Sequence, residues 1–254
     1  MDISIIIPAL NEAAKIKYDI LAAAAFIRRR FSSGEVIVID DGSDDDTASV
    51  AQAVVVEEPV VLHVIRYPQN RGKGFAVRTG IQTSRGDWVM FADSGLCIPY
   101  DNAMLGLNQL QNNDCQLAHG SRKREDSFIE QQHLKTRRLP SILLPLFLRW
   151  YMGIPRYLTD TQCGFKIYNG DIARELYNAA IVDGFMFDVE IIVRALRRGY
   201  TICEFPVTWS ADPDTRLQIS RMPMQMLKEL HRIKHELHLP PLCRLLGRKQ
   251  KIKK

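Results

Sequence analysis

Four short apolar runs alternate with helix-like segments in the first 92 residues, and that alternation restricts the chain to few folds. Residues 3–7, 36–39, 60–65 and 88–92 are β-branched or aromatic runs of strand length. Between them, residues 13–30, 47–55 and 74–83 carry apolar residues at helical spacing. A β-α-β-α-β-α-β succession predicts an α/β fold: a doubly wound, mostly parallel sheet with helices on both faces. Such sheets bind ligands at the carboxyl ends of their strands. The polar clusters fall at those ends: Asn11-Glu12, then residues 40–46, 70–74 and 93–95.

The second half is less regular. Residues 102–111 predict a helix and 115–119 a strand, and residues 122–138, rich in both charges, read as a loop. Residues 139–157 are apolar and aromatic but interrupted by Pro140, Pro145 and Pro155, which suits helical pieces better than one long helix. Helices over 186–197 and 223–237 and a strand over 201–207 complete the pattern. With no repeat and no linker, the expected organisation is one domain over residues 1–221 followed by a basic amphipathic appendage over 222–254.

Charge narrows the partners. The chain of 254 residues carries a net +5, yet the segment from Lys228 to Lys254 alone holds nine basic and two acidic residues. The remainder is slightly acidic, which argues against a nucleic-acid-binding body and directs the basic end towards an anionic membrane surface. Cys97, Cys115, Cys163, Cys203 and Cys243 are odd in number and widely spaced, so they predict neither a disulfide framework nor a zinc knuckle. No apolar stretch approaches the ~20 residues of a bilayer span. The first apolar run is too short, and lacks the basic flank, for a signal peptide. The expected location is therefore cytoplasmic.

Three segments carry candidate chemistry. In VIVIDDGSDDDT, a buried strand ends in Asp40 and Asp41, whose carboxylates suit a base imide or a ribose hydroxyl, while residues 44–46 suit helix capping. In NRGKGFAVRTG, Gly72 and Gly74 flank Lys73 at a helix start, an arrangement of backbone N–H groups and ammonium that suits phosphate. It is neither a P-loop nor a dinucleotide fingerprint, since Gly-Lys-Ser/Thr is absent and Val77 takes the last glycine position. In WVMFADSG, a strand runs into Asp93. His231, His235 and His238 recur at helical spacing without a completing ligand and read as a solvated face; Cys163 has no nearby base and reads as a structural thiol. Leu146, Phe147, Leu148, Trp150 and Tyr151 suit either a core or a membrane interface.

Together, IIIPALNE, VIDDGSDDDT, NRGKGFAVRTG and Asp93, with GSR at 120–122, DTQCGFK at 160–166, FDVEI at 187–191 and EFPVTW at 204–209, resemble the family-2 glycosyltransferases of the GT-A fold. Within them the set is similar to the dolichyl-phosphate glucose and mannose synthases and bacterial polyprenyl-phosphate relatives, from Ile3 to about Arg221. The resemblance implies transfer of a hexose, glucose or mannose, from a UDP- or GDP-sugar to a polyprenyl or dolichyl phosphate, with inversion, on the cytoplasmic face of a membrane. It assigns Pro8, Ala9, Glu12, Asp41 and Lys73 to the base and ribose, and Asp93 with Ser94 to the nucleotide sugar. Arg122, Arg137 and Ser141 are assigned to the acceptor phosphate, and Arg216 to the donor diphosphate, so that Asp93, Arg122, Arg137 and Arg216 form the catalytic set.

In the same family Asp93 is the first acid of an Asp-x-Asp motif that holds Mg²⁺ or Mn²⁺. Here the motif departs: Gly95 stands where the second, metal-binding Asp is expected, whereas a hard divalent ion prefers several oxygen ligands. The alternatives to a polyprenyl-phosphate synthase are a family-2 transferase acting on a glycan or glycolipid, and a nucleotide-sugar-binding protein that has lost catalysis.

Overall fold

A computed structural model describes residues 1–130, 138–210 and 222–238. The elements are β1 (Ile3–Ala9), α1 (Ile16–Arg30), β2 (Gly34–Asp40), α2 (Thr47–Gln52), β3 (Val60–Arg66), α3 (Lys73–Thr83) and β4 (Trp88–Ala92). They continue with α4 (Ala103–Gln111), β5 (Leu117–Ser121), β6 (Phe128–Ile129), α5 (Arg138–Met152), β7 (Phe165–Asn169) and α6 (Gly170–Asn178), and end with α7 (Phe187–Arg197), β8 (Ile202–Pro206), β9 (Thr208–Trp209) and α8 (Met222–Glu236). Seven strands form one sheet in the order β3-β2-β1-β4-β7-β5-β8. All neighbours pair in parallel except β7, which runs antiparallel to both β4 and β5. The fold is the mostly parallel α/β architecture expected from the alternation.

The sheet is apolar on both faces because helices cover both. Along β1, Ile5 and Ile7 point into a core shared with α1 and α4, and Ile6 between them points into the opposite core with α3 and α7. Met90 against Val89 and Phe91 repeats this alternation in β4. Such two-sided burial accounts for the near-continuous apolar runs of the sequence. The strand order runs outwards from β1 through β2 to β3, then returns to the other side at β4. The crevice at the carboxyl ends of β1 and β4 is thus the topological switch point.

Four elements are absent from the sequence expectation: β6, β7, α6 and β9. A further difference lies in residues 139–157, where α5 is one continuous helix with Pro145 inside it rather than separate pieces. Pro140 falls in the first turn, where the N–H has no intrahelical partner in any case. Pro145 removes one ladder bond. Burial of Leu148 and Met152 against the second core offsets that loss. The charged 122–138 stretch contains the short strand β6, which pairs with β9 beside the main sheet.

α8 packs Leu230 and Ile233 into the second core. Its Glu229 carboxylate accepts a 3.0 Å hydrogen bond from the Met186 backbone N–H.

Candidate active site at the carboxyl edge of the sheet

The loops after β1 and β2 are tied to one another. Asn11 N–H donates to Ser43 Oγ at 2.8 Å, Glu12 N–H to Thr47 Oγ1 at 2.7 Å, and Asp44 N–H to Asn11 Oδ1 at 2.8 Å. Pro8 and Ala9 close β1, and Ala9 C=O accepts from the Asp41 N–H. Asp40 is fully buried and holds the turn through Ser43 N–H, with Arg66 Nε 3.5 Å from its other oxygen. Of the acids at 44–46, Asp45 accepts from Thr47 N–H at the start of α2. Asp41 accepts from the backbone N–H groups of Arg71 and Gly72 at 2.8 and 2.9 Å. Burial pushes its carboxyl above the ordinary value, and those two N–H bonds counteract the rise. Asp41 therefore anchors the NRGKG loop.

That anchoring places Lys73, the first residue of α3, beside Asp93, with Nζ 2.6 Å from Oδ1. Burial would lower the ammonium's pKa, but Asp93 and Asp188 outweigh it, and Lys73 lies above its ordinary value and stays charged. Asp93 N–H donates to Gly164 C=O at 2.8 Å. A methyl group at Gly164 would overlap the Asp93 carboxylate, so only glycine admits that carboxylate there.

The backbone after Asp93 is drawn the other way. Asp19, on α1 and 1% exposed, accepts from Gly95 N–H at 3.0 Å and from Leu96 N–H at 3.0 Å. Gly95 has φ +94°, a conformation that side chains rarely adopt. Ser94 is half-buried between these two anchors.

On the far side of β7 stands Arg122. Its Nε and Nη2 form a fork on Asp160, at 2.7 and 2.9 Å, and its backbone N–H adds a third bond at 3.1 Å. Burial alone would raise Asp160, yet Arg122 holds it down at about 2. The guanidinium also lies 5.8 Å over Trp209. Glu204 on β8 fixes the same loop from beneath, accepting from the N–H groups of Thr159 and Asp160 and from Thr159 Oγ1.

Between the Asp93 and Arg122 sides lies a buried ion pair. Lys166, the second residue of β7, donates to Asp188 of α7 and to Cys163 C=O at 2.8 Å. Burial raises the Asp188 carboxyl, with Lys166 and Lys73 opposing the rise. Cys163 is buried, and burial raises its thiol to about 12, which disfavours the thiolate and fits a structural thiol.

The structure thus brings Pro8, Ala9, Glu12, Asp41, Lys73, Asp93, Ser94 and Arg122 to the carboxyl edge of one sheet. Ser141 lies in the first turn of α5, and Arg137 and Arg216 lie outside the described residues. Asp19, Asp160, Lys166, Asp188 and Glu204 complete the framework. Sequence reasoning found the motifs containing the last four but missed their roles, and it missed Asp19 altogether.

The Glycosyl transferase family 2 model matches residues 4–177. The chain belongs to that family. This family 2 chain is 32% identical over 177 residues to the dolichyl-phosphate beta-glucosyltransferase of Homo sapiens, covering 66% of this chain and 53% of that protein. It is 27% identical to the enzyme of the same name from Saccharomyces cerevisiae, over 90% of this chain and 72% of the yeast protein. It spans about half the length of the human protein and of the Dictyostelium discoideum one. Among solved structures, mannosyl-3-phosphoglycerate synthase from Rubrobacter xylanophilus superposes with a TM-score of 0.67 at 19% identity, over all of this chain and 79% of that one. Glucosyl-3-phosphoglycerate synthase from Mycobacterium tuberculosis, in complex with Mn²⁺, UDP and product, gives 0.64 at 20% identity, over 94% of this chain and 81% of that one. These two establish the GT-A fold.

The described residues do not make a multi-ligand cation site. Asp93 contributes the carboxylate at the end of β4, and an ammonium already lies on it. Gly95 offers no side chain, and its N–H is engaged by Asp19. Among the described residues no group of three or more His, Cys, Asp or Glu could hold a metal ion.

Proposed function

We propose that this chain transfers a hexose, glucose or mannose, from a UDP- or GDP-sugar to a polyprenyl or dolichyl phosphate, inverting the anomeric centre. The observation that carries the reading is the pair of cationic positions on either side of Asp93 at one sheet edge: Lys73 on the donor side and Arg122 beyond β7. The similarity to dolichyl-phosphate beta-glucosyltransferases supports the acceptor class.

The chemistry asks little covalent work of the protein. A phosphate monoester has a second pKa of about 6 and is largely dianionic near neutrality, so it attacks without a dedicated base. One of its oxygens forms the new bond to the anomeric carbon. The bond to the nucleoside diphosphate breaks on the opposite face, and its electron pair leaves with the diphosphate. Positioning and charge stabilisation supply the catalysis. Arg122 retains N–H donors beyond its two bonds to Asp160 and suits a phosphate through its planar fork. Arg137 and Ser141 join it in the proposal on the acceptor side, and Arg216 on the donor side.

Membrane contact follows from a lipid acceptor. Leu146, Trp150, Met224 and Leu227 expose apolar surface on α5 and α8. Lys234 of α8 donates to Tyr151 C=O on α5 and lies 4.2 Å over the Tyr151 ring, joining the two helices. Among the described residues no helix is long and apolar enough to cross a bilayer; the contact in this proposal is a peripheral one, made by those exposed apolar residues.

The deciding experiment incubates the protein with UDP- and GDP-glucose or mannose and a short polyprenyl phosphate, and follows glycolipid and released nucleoside diphosphate. Stoichiometric formation of both supports the reading. Donor binding without turnover on any lipid phosphate would replace it with that of a binding protein. Turnover on a glycan or glycolipid alone would move the acceptor. Arg137→Ala is expected to lower kcat/KM for the lipid phosphate at unchanged donor affinity, and Arg216→Ala to slow turnover even at saturating lipid.

A further inference from the structure

We propose that this chain binds the donor diphosphate without a divalent cation, with the Lys73 ammonium supplying the positive charge at the end of β4. The inference rests on the donor class proposed above. It grows from how the chain fills the position where the family's Asp-x-Asp motif holds an ion.

Three observations bear on it. Lys73 Nζ lies 2.6 Å from Asp93 Oδ1, on the carboxylate that the family resemblance assigns to the metal. The second carboxylate is replaced by Gly95, and Asp19 draws the Gly95 and Leu96 N–H groups onto itself from α1. This bonding turns the backbone after Asp93 towards α1 and fixes Gly95 at φ +94°, where an aspartate would be strained. The third is the support given to Lys73. It begins α3, whose dipole places partial positive charge at its own end of the helix; the Phe75 and Ala76 N–H groups of that turn are bonded to Asp183 and Gly72 C=O. Asp41 ties Arg71 and Gly72 directly before it, and Asp93 is fixed from beneath by Gly164.

An ammonium held this way is a preorganised monocation. It has three donors and needs only one for Asp93, leaving two for phosphate oxygens. The positive end of the α3 dipole adds to its field. A divalent ion would have to displace the ammonium from Asp93 and, among the described residues, would gain that one carboxylate. The metal-free arrangement is therefore favoured by the residues present, and Asp19 is the positioning residue that maintains it.

The test is isothermal titration of UDP and of GDP into the full chain, first in EDTA and then with Mg²⁺ or Mn²⁺. The expected result is that the tighter nucleotide binds with the same Kd, within about twofold, in all three conditions. Lys73→Met is expected to weaken that binding in EDTA by about tenfold or more, since a charge-assisted contact is lost, while Lys73→Arg retains most of it. Circular dichroism checks that the variants are folded, and the wild-type comparison stands without any variant. Binding that needs Mg²⁺ or Mn²⁺ would overturn the inference and leave the donor reading intact. Wild-type affinity in folded Lys73→Met would overturn it equally. Failure of both nucleotides in every condition would overturn the donor reading together with the inference.

Discussion

Replacing Asp19 by Asn isolates the energetic cost of the anchor beneath the Asp93 loop. The Asp19 carboxyl is almost fully enclosed, and burial raises it from 3.8 to about 6; the Gly95 and Leu96 N–H bonds offset part of that rise, Glu12 adds to it and Lys15 opposes it. An acid raised in the folded state binds its proton more tightly there than in the unfolded chain. Between pH 4 and 6 the native state then holds more protons, so this group's contribution to stability falls as pH rises through that window. The elevation from 3.8 to about 6 corresponds to a loss of about 3 kcal/mol by pH 7. Asn keeps a carbonyl acceptor for the two N–H groups and carries no charge. Wild type and Asp19→Asn should therefore differ in stability by a pH-dependent amount, moving in favour of the variant by up to about 3 kcal/mol between pH 4 and 7. Urea unfolding at half-unit pH steps measures it, and the difference between the two proteins removes every other titrating group. A difference that stays flat from pH 4 to 7 would refute the reasoning.

Gly164→Ala should push the Asp93 carboxylate off its place; in nucleotide titrations the variant is expected to lose about tenfold or more in affinity while its far-ultraviolet dichroism remains that of wild type. Asp160, held at about 2 by Arg122 against the effect of burial, is depressed, so its stabilisation is present above pH 4 and disappears as pH falls through 2. Asp160→Asn should cost about 2 kcal/mol at pH 7, and denaturant melts should show the gap to wild type closing below pH 4. Trp150→Ser combined with deletion of residues 248–254 should abolish sedimentation with anionic vesicles, with each change alone reducing it, because one weak anchor rarely suffices; unchanged sedimentation of the double variant would remove this surface from the membrane.

The first half of the fold was legible because buried parallel strands are written as uninterrupted apolar runs, and each ends in a polar cluster at the same edge. Asp93 and Lys73 were legible as motif residues for the same reason. The strand β7 was not, because FKIYN carries a lysine at a fully buried position, and its partner Asp188 lies 22 residues on. Without the pairing, Lys166 reads as a solvent-facing residue. Asp19 was hidden in another way: an acid in the first turn of an Ala-rich helix reads as a favourable charge on an exposed face. Only the tertiary fold reveals that it faces the β4 loop. Asp41 was found as a strand-end carboxylate, yet nothing in the sequence announces that it grips the backbone of residues thirty positions later.

The reversed direction of β7 has a consequence for recombining parts between relatives. Because it runs against its neighbours, its entry loop, and not its exit, arrives at the ligand edge, between β4 and β5. Residues 159–164 therefore touch both sides at once: Gly164 cradles Asp93, while Asp160 holds Arg122 and leans on Glu204. A chimera that exchanges the β5–α5 region to change acceptor would inherit an Arg122 tuned to a foreign loop unless residues 159–166 and Glu204 travelled with it. Conversely, a graft of β1–β4 brings its own Asp93 environment only if Gly164 is matched. The smallest exchangeable unit is set by this loop, and any crossover placed after Arg122 and before Asp160 separates Arg122 from the carboxylate that orients it.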